Sequence, residues 1–291
     1  MSDTLTVVNV VILAIVQGMA ELLPVSSSAH VVVAEKLLGL DPSSPPMTLL
    51  LVMLHTGTML AVIAYFWPQW RRAYFQSGAA FKSVAVCIVI ATVLTAVVGL
   101  GVARLIEKTV LRGVPHAQIE DLFSHLEFIA PALAAAGILI LIAGIYGNRP
   151  DEPLADGDVN PTRAGVIGVV QGLCLPFRGF SRSGATISTA MLLGVAKPRA
   201  EAFSFALAVV LTPPVIAREA LRLMRAAHES AATPLGSVAL LSVLGALVAF
   251  VAGLLALRWL SRWLESGRWY FFGIYCLGAA LAVALLHHAG Y

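Results

Sequence analysis

The chain has 291 residues, of which 59% are hydrophobic and 12% charged, with a formal net charge of +3 and a mean hydropathy of +0.87. A soluble domain runs at about 45–50% apolar and about 25% charged residues, so these values exclude a disordered protein, a secreted disulfide scaffold and an ordinary soluble enzyme. The charge is too mild for a nucleic-acid partner. The apolar residues fall in blocks of about 20, the length that crosses a hydrocarbon core as a helix, and the period-2 alternation of a β-barrel is absent. The sequence therefore reads as an all-α integral membrane protein.

The first residues, Met1 to Thr6, carry Asp3 and no basic residue ahead of the apolar run, and no small-x-small cleavage site follows. They are expected to belong to the mature protein rather than to a signal peptide. Residues 6–40 are mostly apolar but are interrupted in the middle. Clean spans are then predicted at about 47–67, 83–103 and 127–146. Residues 164–196 form a second interrupted stretch. A span at about 200–217 contains Pro213-Pro214 and is expected to kink or end there, because proline removes a backbone donor and crowds the preceding turn. Spans at about 237–257 and 270–288 complete the set of six. None of the polar connections, 68–82, 104–126, 147–163, 218–236 and 258–269, is long enough to be a domain, so residues 1–291 read as one polytopic membrane domain. Cys87, Cys174 and Cys276 sit inside apolar segments without a C-x-x-C, which points to buried apolar residues rather than disulfides or a zinc site. Trp67, Trp70, Trp259, Trp263 and Trp269 read as interface anchors.

The two interrupted stretches resemble each other. Val16-Gln17-Gly18 matches Val170-Gln171-Gly172; both continue through Leu-Pro and a Ser-rich turn to Leu-Leu-Gly, at Leu37–Gly39 and Leu192–Gly194. Each half is too short to cross a membrane, so each stretch is expected to form a re-entrant helical hairpin or a broken helix; non-helical backbone at that depth needs protein or a wet cavity around it. The offset of about half the chain suggests a duplication, with one repeat at about 6–103 and the other at about 164–257. Three spans separate the hairpins, which would then enter from opposite faces, an inverted-topology repeat. If 68–82 is cytoplasmic, the loops on its side hold ten Lys/Arg against six opposite, in agreement with the positive-inside rule.

Chemistry concentrates at the two breaks. Pro24 ends the first half-helix, and Ser26 or Ser27 is a natural N-cap for the second. A helix N-terminus is an anion site. Gln17 and Glu21 are four residues apart on one helix face, and Ser26 or Ser27 shares a face with His30. A carboxylate, an amide, hydroxyls and an imidazole together can perform acid–base chemistry or activate a hydroxyl. The second break, Arg178-Gly179-Phe180-Ser181-Arg182-Ser183-Gly184-Ala185-Thr186, supplies arginines, whose fork suits phosphate, and glycines that let backbone approach a ligand. The two breaks together suit a group with two or more phosphate oxyanions, and Glu21 could share a divalent cation with it. Charges at membrane depth point to function. Ser28 and Ser188 read as helix-packing hydroxyls; His55 is balanced between lining a cavity and packing, and His116, His125, His228, His287 and His288 receive no role.

The pattern Gln-Gly-x-x-Glu-x-Leu-Pro-Val-Ser-Ser-Ser-x-His from Gln17, followed by Gly-Phe-Ser-Arg-Ser-Gly-Ala-Thr from Gly179, resembles the bacterial undecaprenyl-pyrophosphate phosphatases, the bacitracin-resistance family. The resemblance covers essentially the whole chain, including Glu201-Ala-Phe-Ser-Phe. It implies an enzyme of the bacterial inner membrane that converts a C55 polyprenyl pyrophosphate to the monophosphate and so recycles the lipid carrier of cell-wall synthesis. It also implies six spans plus two re-entrant hairpins, a site open to the periplasm and dependence on Mg²⁺ or Ca²⁺. The family's (Glu/Gln)-x-x-x-Glu motif falls on Gln17 and Glu21, its serines and histidine on Ser26, Ser27 and His30, and its second motif on Ser181, Arg182, Ser183 and Thr186. On this reading Arg182 and the helix N-termini hold the pyrophosphate, Ser27 attacks phosphorus or positions a water, Glu21 activates the nucleophile, and His30 orients or protonates. Arg178 stands where the family usually has proline, and Gln17 leaves Glu21 as the sole motif carboxylate. The partners are the lipid and the bilayer, with monomer and homodimer both open. The rival reading is a polyprenyl-phosphate transporter with the same headgroup site. The other membrane phosphatase class is excluded, because no Lys-x₆-Arg-Pro occurs and its histidine position, counted from Ser181-Arg182, is Ser188.

Overall fold

A computed structural model describes residues 5–41, 44–109, 126–147, 157–229 and 235–289, leaving the side chains of 126, 215, 222–229 and 235–237 undescribed. The described residues are helical: α1 Val7–Leu22, α2 Ser27–Leu38, α3 Pro45–Ala73, α4 Gly78–Thr109, α5 Leu126–Tyr146, α6 Pro161–Cys174, α7 Arg182–Leu192, α8 Lys197–Glu229, α9 Leu235–Glu265 and α10 Tyr270–His288. Among them α3, α4, α5, α8, α9 and α10 contain segments long and apolar enough to cross a membrane.

The helices outrun the apolar blocks that announce them. α3 holds 29 residues and α4 holds 32, whereas about 20 cross the hydrocarbon; the surplus turns carry Arg71, Arg72 and Lys108. α8 continues through Pro213 and Pro214 to Glu229 instead of ending at the pair. Apolar surroundings offer no competing water, and neighbouring groups in a bundle can take up the backbone groups that proline releases. On α4, Val86, Val89, Val93, Val97 and Leu100 are all exposed. Their spacing of three or four residues makes one apolar stripe along the helix, the face that lipid would cover.

The chain divides into two compact units. One comprises residues 1–23, 30–67 and 208–260; the other comprises 24–29, 68–207 and 261–291. In the first, Val10, Leu13 and Ala14 of α1 meet Met47, Leu50 and Leu54 of α3 and Ala249 of α9 in a closed apolar core. Gly18 lies so close to Ala249 and Ala252 that an added Cβ would overlap them. In the second, Gly168 and Gly172 of α6 abut Ala91, Thr95, Val98 and Gly99 of α4 in the same manner, and Gly137 of α5 abuts Gly273 and Cys276 of α10. Small residues let helix backbones come together where lipid supplies no hydrophobic drive between helices.

Two of the five tryptophans depart from the interface reading. Trp70 and Trp269 are buried; their indole N–H groups donate to the Ala202 carbonyl and to Ser188 Oγ. An indole with an internal acceptor is better placed in a core than at a wet boundary. Trp67 and Trp259 are exposed.

Candidate active site

In the first unit, α1 carries the acid. Gln17 Nε2 donates to Glu21 Oε2 at 3.2 Å, the contact expected of side chains four residues apart. Gln17 is buried while the Glu21 side chain retains 17% exposure, so the amide anchors a carboxylate that still reaches an accessible space. His55 of α3 presents Nε2 to the same Oε2 at 4.0 Å. His30, on the first turn of α2, is half-buried.

The second unit contains both turns that interrupt the helices, apart from the residues flanking the first. The first turn ends at Ser26, whose φ of 68° places a non-glycine residue in the left-handed region, which costs roughly 1–2 kcal/mol. Such strain persists only where surroundings impose it. Here Cys276 of α10 donates from Sγ to the Pro24 carbonyl at 3.3 Å, and Ser26 and Ser28 share a hydroxyl hydrogen bond of 3.3 Å. Ser26, the residue before α2, is buried, and Ser27 begins the helix half-buried. The second turn is reached from the first: the Gly179 N–H donates to Ser28 Oγ at 3.3 Å. Gly179 has φ of 102° and lies against the Ile129 carbonyl, where a Cβ would clash.

α7 then starts in regular fashion. Ser181 is its N-cap, accepting from the Gly184 N–H at 3.2 Å. Arg182 occupies the first helical position and is half-buried, whereas Arg178 is exposed. Ser183 is buried. Thr186 is wholly buried, and its hydroxyl engages the Arg182 carbonyl and Ser204 of α8. Its contribution is to hold α7 against α8.

The structure thus gathers Gln17 and Glu21 in one unit with His55, and Ser26, Ser28, Gly179, Ser181 and Arg182 in the other. Ser28 had read as a packing hydroxyl, but it joins the two turns; its partner is a backbone amide 151 residues away, for which sequence offers no signal. Ser188 keeps its packing role beneath Trp269. For a divalent cation, Glu21 offers one hard oxygen ligand, and no group of three His, Cys, Asp or Glu side chains suited to a metal occurs among the described residues. That donor set fits a cation bound through one carboxylate plus substrate phosphates, the habit of Mg²⁺.

The family model described as bacitracin resistance protein BacA matches residues 10–282. The chain is 54% identical over 289 residues to "Undecaprenyl-diphosphatase 2" of Acinetobacter baylyi, covering 98% of this chain and all of that one. It is 33% identical to "Undecaprenyl-diphosphatase" of Desulfatibacillum aliphaticivorans, covering 95% and 98%, and 32% identical to that of Desulfosudis oleivorans, covering 91% and 93%. The chain belongs to the BacA family.

Proposed function

We propose, from membership of the BacA family and the joined pair of turns, how this chain dephosphorylates undecaprenyl pyrophosphate and recycles the lipid carrier. The overall change is addition of water across the phosphoanhydride: the terminal P–O bridge breaks, and undecaprenyl phosphate and inorganic phosphate leave. The observation that carries the reading is the Ser28–Gly179 hydrogen bond, which ties the serine turn to the turn that presents Arg182.

Arg182 receives the terminal phosphate through its fork, with the α7 N-terminus adding partial positive charge. Ser181 serves by capping that helix. Exposed Arg178 attracts the anionic headgroup. Ser27 either attacks the terminal phosphorus or positions the attacking water; Glu21, oriented by Gln17, takes the proton from whichever oxygen attacks. His30 stands on the same first turn of α2 as Ser27, to orient the nucleophile or protonate the leaving phosphate. Ser26 and Ser183 line the headgroup space, and Thr186 supports α7 from behind. The acid and the serines lie on consecutive chain, four residues separating Glu21 from Ser26, and both are assigned to the same diphosphate. A divalent cation, Mg²⁺ or Ca²⁺, would be held by Glu21 and would neutralise charge on the phosphate oxygens.

The finer architecture belongs to the same proposal. α1 and α2 hold 16 and 12 residues and α6 and α7 hold 14 and 11, about 17–24 Å each at 1.5 Å per residue, short of the ~30 Å hydrocarbon thickness. They are read as two re-entrant hairpins. The series α1–α5 has lengths of 16, 12, 29, 32 and 21 residues and α6–α10 of 14, 11, 33, 31 and 19. The matching Gly18 and Gly172 press on α9 and α4, each the fourth helix of the opposite series. Both regularities support an inverted repeat; the opening of the site to the periplasmic side of the inner membrane is carried over from the family resemblance.

The test is phosphate release from a C55 polyprenyl diphosphate by purified full-length protein in detergent, with and without chelator. Release that falls with chelator supports the reading; no release in the presence of Mg²⁺ or Ca²⁺ overturns it.

A further inference from the structure

His55 sits on the third turn of α3, in the apolar stretch Leu49–Met59, and its side chain keeps 40% of its surface exposed. An ionisable side chain at such a place in a spanning helix calls for a partner. Its neighbours on the helix show what the ring could have done instead. Thr56 and Thr58 turn their hydroxyls back onto the carbonyls of Val52 and His55 and so satisfy themselves within α3. His55 uses one nitrogen in this way: Nδ1 lies 2.9 Å from the Leu51 carbonyl. A carbonyl can only accept, so Nδ1 carries the hydrogen, and this bond fixes the ring. Nε2 is thereby the atom turned outward, and it faces Glu21 Oε2 at 4.0 Å, the oxygen that already accepts from Gln17 Nε2. Two nitrogens from two different helices therefore converge on a single carboxylate oxygen, one buried and one accessible.

We propose that His55 is a positioning residue for Glu21: the Leu51 bond aims Nε2 so that, through a bridging water, it joins the Gln17 amide in bracketing Oε2 and holds the carboxylate toward the reacting headgroup. This rests on Glu21 taking part in the reaction, as assigned above. A separation of 4.0 Å is wide for a direct hydrogen bond, and with the hydrogen on Nδ1 the neutral ring's Nε2 accepts, as Oε2 does; a single water that donates one hydrogen to Nε2 and the other to Oε2 joins them. Loss of a group that orients a reacting side chain costs about 10–100-fold in activity.

Three variants separate positioning from packing. His55→Leu keeps the volume and removes the nitrogen, His55→Ala removes both, and His55→Gln returns an amide, whose oxygen can accept from the same water, at similar reach. With purified full-length protein and a C55 polyprenyl diphosphate, His55→Leu and His55→Ala are expected to lower kcat by about 10–100-fold with KM within about twofold, and His55→Gln to recover most of the loss. Wild-type kcat in His55→Leu would overturn the proposal, as would a kcat loss that tracks side-chain volume. Nitrogen-15 spectra of histidine-labelled protein supply a readout that does not depend on activity or on the variants folding equally well. The His55 resonances should show Nδ1 bearing hydrogen; a bare Nδ1 would overturn the orientation. Glu21→Gln serves as the reference. If it is fully active, the reading of Glu21 fails; if it is inactive while His55→Leu is normal, only the role of His55 fails.

Discussion

Gln17 and Gln171 open the two interrupted stretches at matching positions, each followed by glycine, yet their amides do different work. Gln17 donates to the Glu21 carboxylate. Gln171, fully buried, donates instead to Thr95 Oγ1 on α4, and its Oε1 accepts no hydrogen bond from the described residues. Counting from these glutamines, the position of Glu21 is taken in the second stretch by Leu175, whose side chain packs on Gly99. The turns differ as well. The first is short and places Ser26 at a positive φ, while the second is longer and gives the corresponding strain to Gly179, where it costs little. One stretch thus carries the acid and the hydroxyls on a strained turn, and the other carries the cations on a relaxed, well-capped one. On the proposed reading, a duplication would supply two similar scaffolds, and a diphosphate needs two dissimilar groups, a base for the nucleophile and positive charge for the phosphoryl oxygens.

The sharpest way to break this division of labour is to remove its cation. Arg182→Ala is expected to lower kcat by about 10³-fold, the upper range for loss of one preorganised charge-stabilising group, measured as phosphate release by purified protein. Near-normal release would assign the second stretch to structure alone. Glu21→Gln comes next, with a loss on the order of 10²-fold and lipid binding retained; an active variant would remove the acid from the first stretch.

The turns sharpen the comparison through stability. Gly179→Ala must place a Cβ at φ 102° against the Ile129 carbonyl and is expected to cost about 2 kcal/mol or more, read as a fall in Tm in detergent. Ser26→Gly relieves the left-handed strain and is expected to match or exceed wild-type Tm, while Ser26→Val falls below it. The smallest effect separates the two glutamines. Gln171→Ala should lower Tm by an amount equivalent to about 1 kcal/mol with a minor change in kcat, and Gln17→Ala should lower kcat with Tm nearly unchanged. Equal behaviour of the two variants would erase the distinction.

The six spans were legible because hydropathy reports passage through hydrocarbon directly. Their ends were not, since the hydrogen-bond ladder of α3 or α4 continues into water where hydropathy has fallen. Pro213-Pro214 left open whether the helix kinks or ends there; α8 runs through the pair, and neighbouring groups in a bundle can take up the backbone groups that proline releases. Trp70 and Trp269 carry the composition of an interface anchor, but their internal acceptors, the Ala202 carbonyl and Ser188, lie far off in sequence. At the site, Gln17 with Glu21 was readable from four-residue spacing, and the Ser181 cap from the residue type before a helix start. Ser28 and His55 were not, because the Gly179 amide and the Glu21 carboxylate that give them meaning arrive from other segments. Thr186 shares a face with Arg182 by spacing, but spacing does not reveal that Ser204 claims its hydroxyl.

In the proposed reaction the acid of the first stretch and the guanidinium of the second act on one diphosphate. A double-mutant cycle tests this most directly: kcat for Glu21→Gln, Arg182→Ala and the combined variant, measured by phosphate release from a C55 polyprenyl diphosphate. Groups that act as a unit in one transition state give strongly non-additive losses, so the combined variant should be about as slow as the slower single one. Losses that multiply would show two independent contributions and contradict the account.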